Sequence, residues 1–139
     1  MKKTIFILLM MFGFFISFGK DKGPKIEVIN DTVFIEGKSI CLFEKTKANG
    51  LRSFYLKDLE NNKIAFFQEL ENYRHFENYN YYYEITFIKS SSKAEIPADG
   101  KPKTTIKYLI DYGLIADGKI TDESEKEFVL IVGQKYSQK

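Results

Sequence analysis

Tyr79-Asn80-Tyr81-Tyr82-Tyr83-Glu84-Ile85-Thr86-Phe87-Ile88 is the stretch from which the fold can be read. Side chains of an extended chain alternate between two faces, so Tyr79, Tyr81, Tyr83, Ile85 and Phe87 share one side. Asn80, Tyr82, Glu84, Thr86 and Ile88 share the other. The first set is apolar, and aromatic and β-branched side chains fit a pleated surface well. The stretch therefore predicts a strand with one face against a core, and Tyr79, Tyr81 and Tyr83 are expected to fill that core.

Toward the N-terminus the same kind of pattern repeats in short pieces. Strands are expected at 26–29, 33–35, 39–44, 53–59 and 64–70, separated by Asn30-Asp31, Glu36-Gly37-Lys38, Asn49-Gly50 and Glu60-Asn61-Asn62-Lys63. Asn, Asp and Gly tolerate the left-handed conformations that tight hairpins need. Parallel neighbours require crossovers of a dozen or more residues, and the connections here are shorter. An antiparallel meander of about six strands follows, with a curved sheet or partial barrel as its main variant. Beyond the sixth strand, 90–93 and 97–102 interrupt regular structure, leaving room for a short strand at 94–96.

Toward the C-terminus the spacing becomes helical. Ile106, Leu109 and Ile110 recur at i, i+3 and i+4, and Gly113 is placed to end that helix. A second helix is expected from Thr121 or Asp122, where Asp122 and Glu125 have capping-box spacing, with a stripe of Phe128, Val129 and Val132 and an end at Gly133. Acidic Asp122, Glu123 and Glu125 suit the positive end of its dipole. Helices of about three turns are marginal alone in water, so this hairpin is expected to pack on the sheet. The fold class is α+β, with the sheet first and the helices last.

The first residues carry a different message. Lys2 and Lys3 precede an uncharged run at 4–18, and Ser17-Phe18-Gly19 sets small residues three and one before a cut ahead of Lys20. That is the layout of a secretory signal peptide at 1–19, leaving a single domain at 20–139. The run is shorter than the roughly 20 residues that span a bilayer, so no stable membrane insertion is expected after cleavage. The position after the cut holds Lys20 rather than the cysteine a lipid anchor needs. Short leader and abundant Lys, Asn, Ile, Phe and Tyr together suggest a bacterial protein of the periplasm or the medium.

The whole chain has 139 residues with 21 basic and 19 acidic side chains, and losing Lys2 and Lys3 makes the two signs equal. A balanced surface has no long-range field to attract nucleic acid or an anionic bilayer, which removes those classes of partner. Cys41 is the only cysteine, so no disulfide closes within the chain, and the period of two places it beside Phe43 as a small buried hydrophobe.

Motifs for chemistry are few. His75 is the only histidine, in a polar aromatic loop, and a triad or a zinc site would each need partners that the composition does not supply. Asp117-Gly118-Lys119 resembles the middle of a calcium loop, but with Gly118 at position six, positions one, three and twelve fall on Gly113, Ile115 and Ser124. An Asp-Gly turn between helices explains the same residues. Asp58, Glu60, Glu69, Glu71, Glu77 and Glu84 lie on or near strands, so a small hydrolase built on a carboxylate pair is the third-ranked reading. No nucleophile elbow or phosphate loop is present. The expectation is therefore no catalysis, no metal and no cofactor. Asn30-Asp31-Thr32 forms a glycosylation sequon, but hairpin chemistry already accounts for its first two residues.

Binding is the better prospect. Tyrosine offers rigid contact area plus a hydroxyl, and rings cluster between 71 and 88. Tyr73, Arg74, His75, Phe76 and Tyr82 are the expected binding residues, since the alternating tyrosines are assigned to the core. The leading expectation is a module that binds another envelope or secreted protein; the alternative is a glycan-binding module using the same rings.

Overall fold

The computed structural model describes residues 23–74 and 76–137, with Phe76 described by its backbone. The expected signal peptide at 1–19, its cleavage position and His75 lie outside the described residues. Seven strands are present: β1 (Ile26–Ile29), β2 (Thr32–Ile35), β3 (Lys38–Ala48), β4 (Leu51–Lys57), β5 (Lys63–Glu71), β6 (Tyr81–Phe87) and β7 (Lys93–Ala98). Helices α1 (Pro102–Asp111) and α2 (Asp122–Val132) follow. The strands lie in sequence order in one sheet, each antiparallel to the next. The fold is the expected α+β meander with helices packed on it.

Several boundaries differ from expectation: β4 is Leu51–Lys57 rather than 53–59, and three other differences have identifiable reasons. The segment expected to hold at most a short strand at 94–96 is a full seventh strand, paired with β6 from Tyr81↔Ala98 to Thr86↔Lys93. Lysine and proline at its ends masked it, and both are usual on an edge strand. β3 runs on to Ala48 instead of stopping near Glu44, because the two-residue turn Asn49-Gly50, at φ 54° and 75°, pairs its flanking residues Ala48 and Leu51. β6 starts at Tyr81 rather than Tyr79, since Glu77 and Asn78 adopt φ 58° and 62° in the turn before it.

The sheet is curled but not closed. Its edge strands β1 and β7 are separated by six strand spacings, roughly 29 Å if flat, yet α1 lies against both of them. A helix about 10 Å across touches both edges only if the sheet wraps around it. The concave face and the helices enclose the core. Phe43 stacks on Phe54 at 4.4 Å, Phe43 meets Phe67 edge-on at 5.2 Å, and Tyr83 meets Phe54 edge-on at 5.8 Å. Ile106 and Leu109 of α1 and Phe128 of α2 are fully buried, with Phe128 edge-on to Phe87 at 6.3 Å. Cys41 is buried among them, and burial pushes its thiol up to about 12.

Capping fixes where α2 begins. Thr121 Oγ1 accepts from the Ser124 N–H at 3.0 Å, and Ser124 Oγ accepts from the Thr121 N–H at 2.9 Å. The reciprocal box is thus Thr121 with Ser124, one residue before the Asp122 and Glu125 pair that the sequence suggested. Those two acids instead hold the β6–β7 turn: Asp122 pairs with Lys89 at 2.7 Å and Glu125 accepts from the Ser90 hydroxyl. Between the helices, Asp117 and Gly118 form a tight turn closed by Ala116 and Lys119, as the Asp-Gly reading expects.

Candidate functional site

Register places the concave side chains in rows across the sheet. Phe43, Leu56, Ala65 and Phe87 form one row, and Lys45, Phe54, Phe67, Ile85 and Ala94 the next. The first row is apolar throughout, and the second is apolar except for the exposed Lys45 at its β3 end. One row further, Lys47 stands opposite Arg52 and Glu69 opposite Tyr83; beyond that, Glu71 stands opposite Tyr81. Along a single face the lining changes from apolar to charged within about two residues of each strand.

The charged end is open. A cleft of about 740 Å³ is lined by Lys45, Lys47, Arg52, Glu69, Glu71 and Tyr81, among others. An adjoining recess of about 490 Å³ shares Arg52, Glu69 and Tyr81 and adds Tyr79, Asn80 and Asp99. Arg52 therefore stands where the two meet. Its Nη1 lies 3.7 Å from Glu69 Oε2, and a Cβ on Gly100 would come within 3.0 Å of that same nitrogen. Gly100, at φ +80°, thus provides both the backbone turn and the space on which the guanidinium rests. Tyr83 is buried beside Glu69: burial first, then the Glu69 carboxylate, pushes its hydroxyl up to about 12.

The expected binding residues differ in exposure. Tyr73 is 80% exposed, and Arg74 is exposed next to it. His75 lies outside the described residues, as does the side chain of Phe76. Tyr82 is only 7% exposed, which corrects its expected place on an open surface. It does lie on the face away from the helices, but the ring of Tyr136 stacks on it at 5.3 Å and 14°. The tail after α2 is held there by Glu95, whose Oε2 accepts from the N–H groups of Tyr136 at 2.7 Å and Ser137 at 3.0 Å. The Tyr136 hydroxyl donates to Glu77 Oε2 at 2.8 Å, tying the tail to the turn before β6.

The alternating tyrosines also divide. Tyr83 is buried as expected, but Tyr81 is 47% and Tyr79 is 38% exposed. Thr105 of α1 reaches the Tyr83 hydroxyl, whereas Tyr81, one row further, is left half-exposed. The sequence reading thus missed the open site, which consists of Lys45, Lys47, Arg52, Glu69 and Tyr81. One signal was present: the alternation Cys41, Phe43, Lys45, Lys47 continues unbroken into the Asn49-Gly50 turn, placing two lysines on the core face.

Among the described residues no group of three His, Cys, Asp or Glu side chains is arranged to hold a metal ion, and no helix is long and apolar enough to cross a membrane. Comparison with models of protein families, with curated proteins and with solved structures finds no match to this chain.

Proposed function

We propose that this chain is a non-catalytic, exported binding module that takes a segment of another envelope or secreted protein into the open end of its concave face. The observation that carries this reading is the incomplete cover. The helices fill one end of the face with Ile106, Leu109 and Phe128 and leave about 740 Å³ at the other, lined by both signs of charge and a half-exposed tyrosine. Arginine and tyrosine are the side chains that most often dominate protein interfaces, because each combines a large planar contact with directional hydrogen bonding. Here Arg52 and Tyr81 flank the same cleft.

The test is site-specific crosslinking in the native host. With a photo-reactive phenylalanine replacing Tyr81 in the full chain, one stoichiometric protein adduct is expected, and the added substitution Arg52→Glu should remove it. An adduct unchanged by Arg52→Glu, or none at all, overturns the reading.

A second reading has its own support. Tyr79 and Tyr81 stand beside Asn80 and Asp99 in the adjoining recess, and an aromatic face next to amide and carboxylate groups suits a pyranose ring. A glycan panel tested against wild type and Tyr81→Ala distinguishes it, since saccharide binding lost in the variant favours this reading over the first.

A further inference from the structure

We infer that the partner's segment is acidic and that its carboxylates seat on the wall formed by Lys45, Lys47 and Arg52. This rests on the binding-module reading above. The register sets Lys47 directly opposite Arg52 on the neighbouring strand. Like charges in that position repel and destabilise the pairing, an arrangement that an anion on the face would reverse. Lys45 lies two residues away on the same face and lines the same cleft. Among the described residues, neither Lys45 nor Lys47 makes an ion pair. Arg52 has one acid near it, but at 3.7 Å that contact is longer than a hydrogen bond, and 51% of its side chain remains exposed.

Gly100 leaves room beside the guanidinium, since a Cβ there would come to 3.0 Å from Nη1, and Arg52 lines the cleft. Its planar fork can grip a carboxylate through two parallel hydrogen bonds.

The rest of the lining selects the orientation and the class of ligand. Glu69 and Glu71 stand on β5, between the cations of β3 and β4 and Tyr81 of β6. The potential therefore changes sign across the cleft, so a uniformly acidic polymer lying along its whole width is disfavoured. A segment with acids at one end and apolar or neutral side chains at the other is accommodated. Lys47 and Tyr81 are three strand spacings apart, roughly 14 Å, a distance that about four residues of extended peptide span. Leu51, 38% exposed at the same rim, adds apolar contact for a peptide side chain.

The experiment uses protein purified from cells expressing the full chain and three fluorescent probes: a peptide of four glutamates followed by four alternating alanines and leucines, an oligogalacturonate, and a Gly-Ser peptide of equal length. Anisotropy is read at low and high salt for wild type, Lys47→Glu and the control Lys126→Glu, which changes net charge equally on the far side of α2. The acidic peptide is expected to bind wild type, to weaken about tenfold or more with Lys47→Glu and with added salt, and to be unaffected by Lys126→Glu. Lys47→Glu also places opposite charges across the strands, so its melting temperature should stay level or rise, and lost binding cannot then be ascribed to misfolding. Equal binding by Lys47→Glu, or equal loss with Lys126→Glu, overturns the inference. Binding of oligogalacturonate in place of the peptide overturns it in favour of an acidic glycan. If no probe binds but the Tyr81 crosslink still captures its partner through Arg52, the module reading stands and the acidic segment fails; if the crosslink is absent too, both fail.

Discussion

The two ends of the concave face are built from the same strands and have opposite character. At one end Phe43, Leu56, Phe67 and Phe87 are fully covered, while at the other Lys47, Arg52, Glu71 and Tyr81 face an open cleft. Nothing in the backbone distinguishes them, because β3, β4, β5 and β6 pass through both. What differs is the reach of the helices. α1 and α2 deliver their apolar stripes to one end only, and a face left without cover must be lined by side chains that water can solvate. The contrast teaches that in a curled sheet the helices decide which part is core and which part can become a site.

The largest effect should come from the covered end. Phe87→Ala removes a fully buried ring packed on Phe128 and is expected to cost about 3–5 kcal/mol in urea unfolding. A loss below about 1 kcal/mol would mean that this end is far looser than its packing implies. Next comes the clasp that carries the chain away from α2. Glu95→Ala leaves the Tyr136 and Ser137 N–H groups without their acceptor and is expected to cost about 1–3 kcal/mol. It should also expose Tyr82 to collisional quenching of tyrosine fluorescence; an unchanged quenching curve would break the assignment of Tyr136 as its cover.

Thr121→Ala removes the cap that starts α2 and should cost about 1 kcal/mol, again by urea unfolding. Alkali tests the boundary between the two ends. Tyr83 has its folded value raised to about 12 from an ordinary 10.0, with burial as the main cause. A raised value means that the folded state holds its proton more tightly than the unfolded chain does. The stabilisation is fully present below pH 10 and is lost as the pH rises toward 12. Tyr108 and Tyr136 are raised too, chiefly by burial, so they act in the same direction. Stability that held constant from pH 9.5 to 11.5 would contradict the burial of Tyr83 and Tyr136 and the partial burial of Tyr108.

The smallest effect on stability belongs to the open end. Tyr81→Ala should change the unfolding free energy by no more than about 0.5 kcal/mol, while removing binding. A loss of 2 kcal/mol or more would show that Tyr81 belongs to the core after all and would erase the contrast between the ends.

Much of the covered end was legible locally. Alternation in 81–87 placed Tyr83, Ile85 and Phe87 on the buried face, and helical spacing placed Ile106, Leu109, Phe128 and Val132 against them. The same alternation misassigned Tyr79 and Tyr81, because a period of two reports which face a side chain takes and not how far along it the cover extends. Tyr82 was misread for a different reason. Its covering ring, Tyr136, belongs to a tail whose place is set by Glu95 on β7, and no local pattern links the three. The candidate cleft was hidden likewise: Arg52 and Glu69 meet through the pairing of β4 with β5, but Gly100, beyond β7, reaches Arg52 across strands that are not neighbours in the sheet.

Turn chemistry and periodicity were sufficient for the order of elements, the antiparallel pairing and the α+β class, because each depends on residues within a few positions of one another. Asn30-Asp31 and Asn49-Gly50 impose tight hairpins wherever they occur, and an alternating strand or a three-and-four stripe carries its own amphipathic face. Tertiary structure alone decided which part of that face is filled. That outcome depends on where one helix comes to rest between two edge strands at opposite ends of the sheet, a balance of packing among segments distant in sequence.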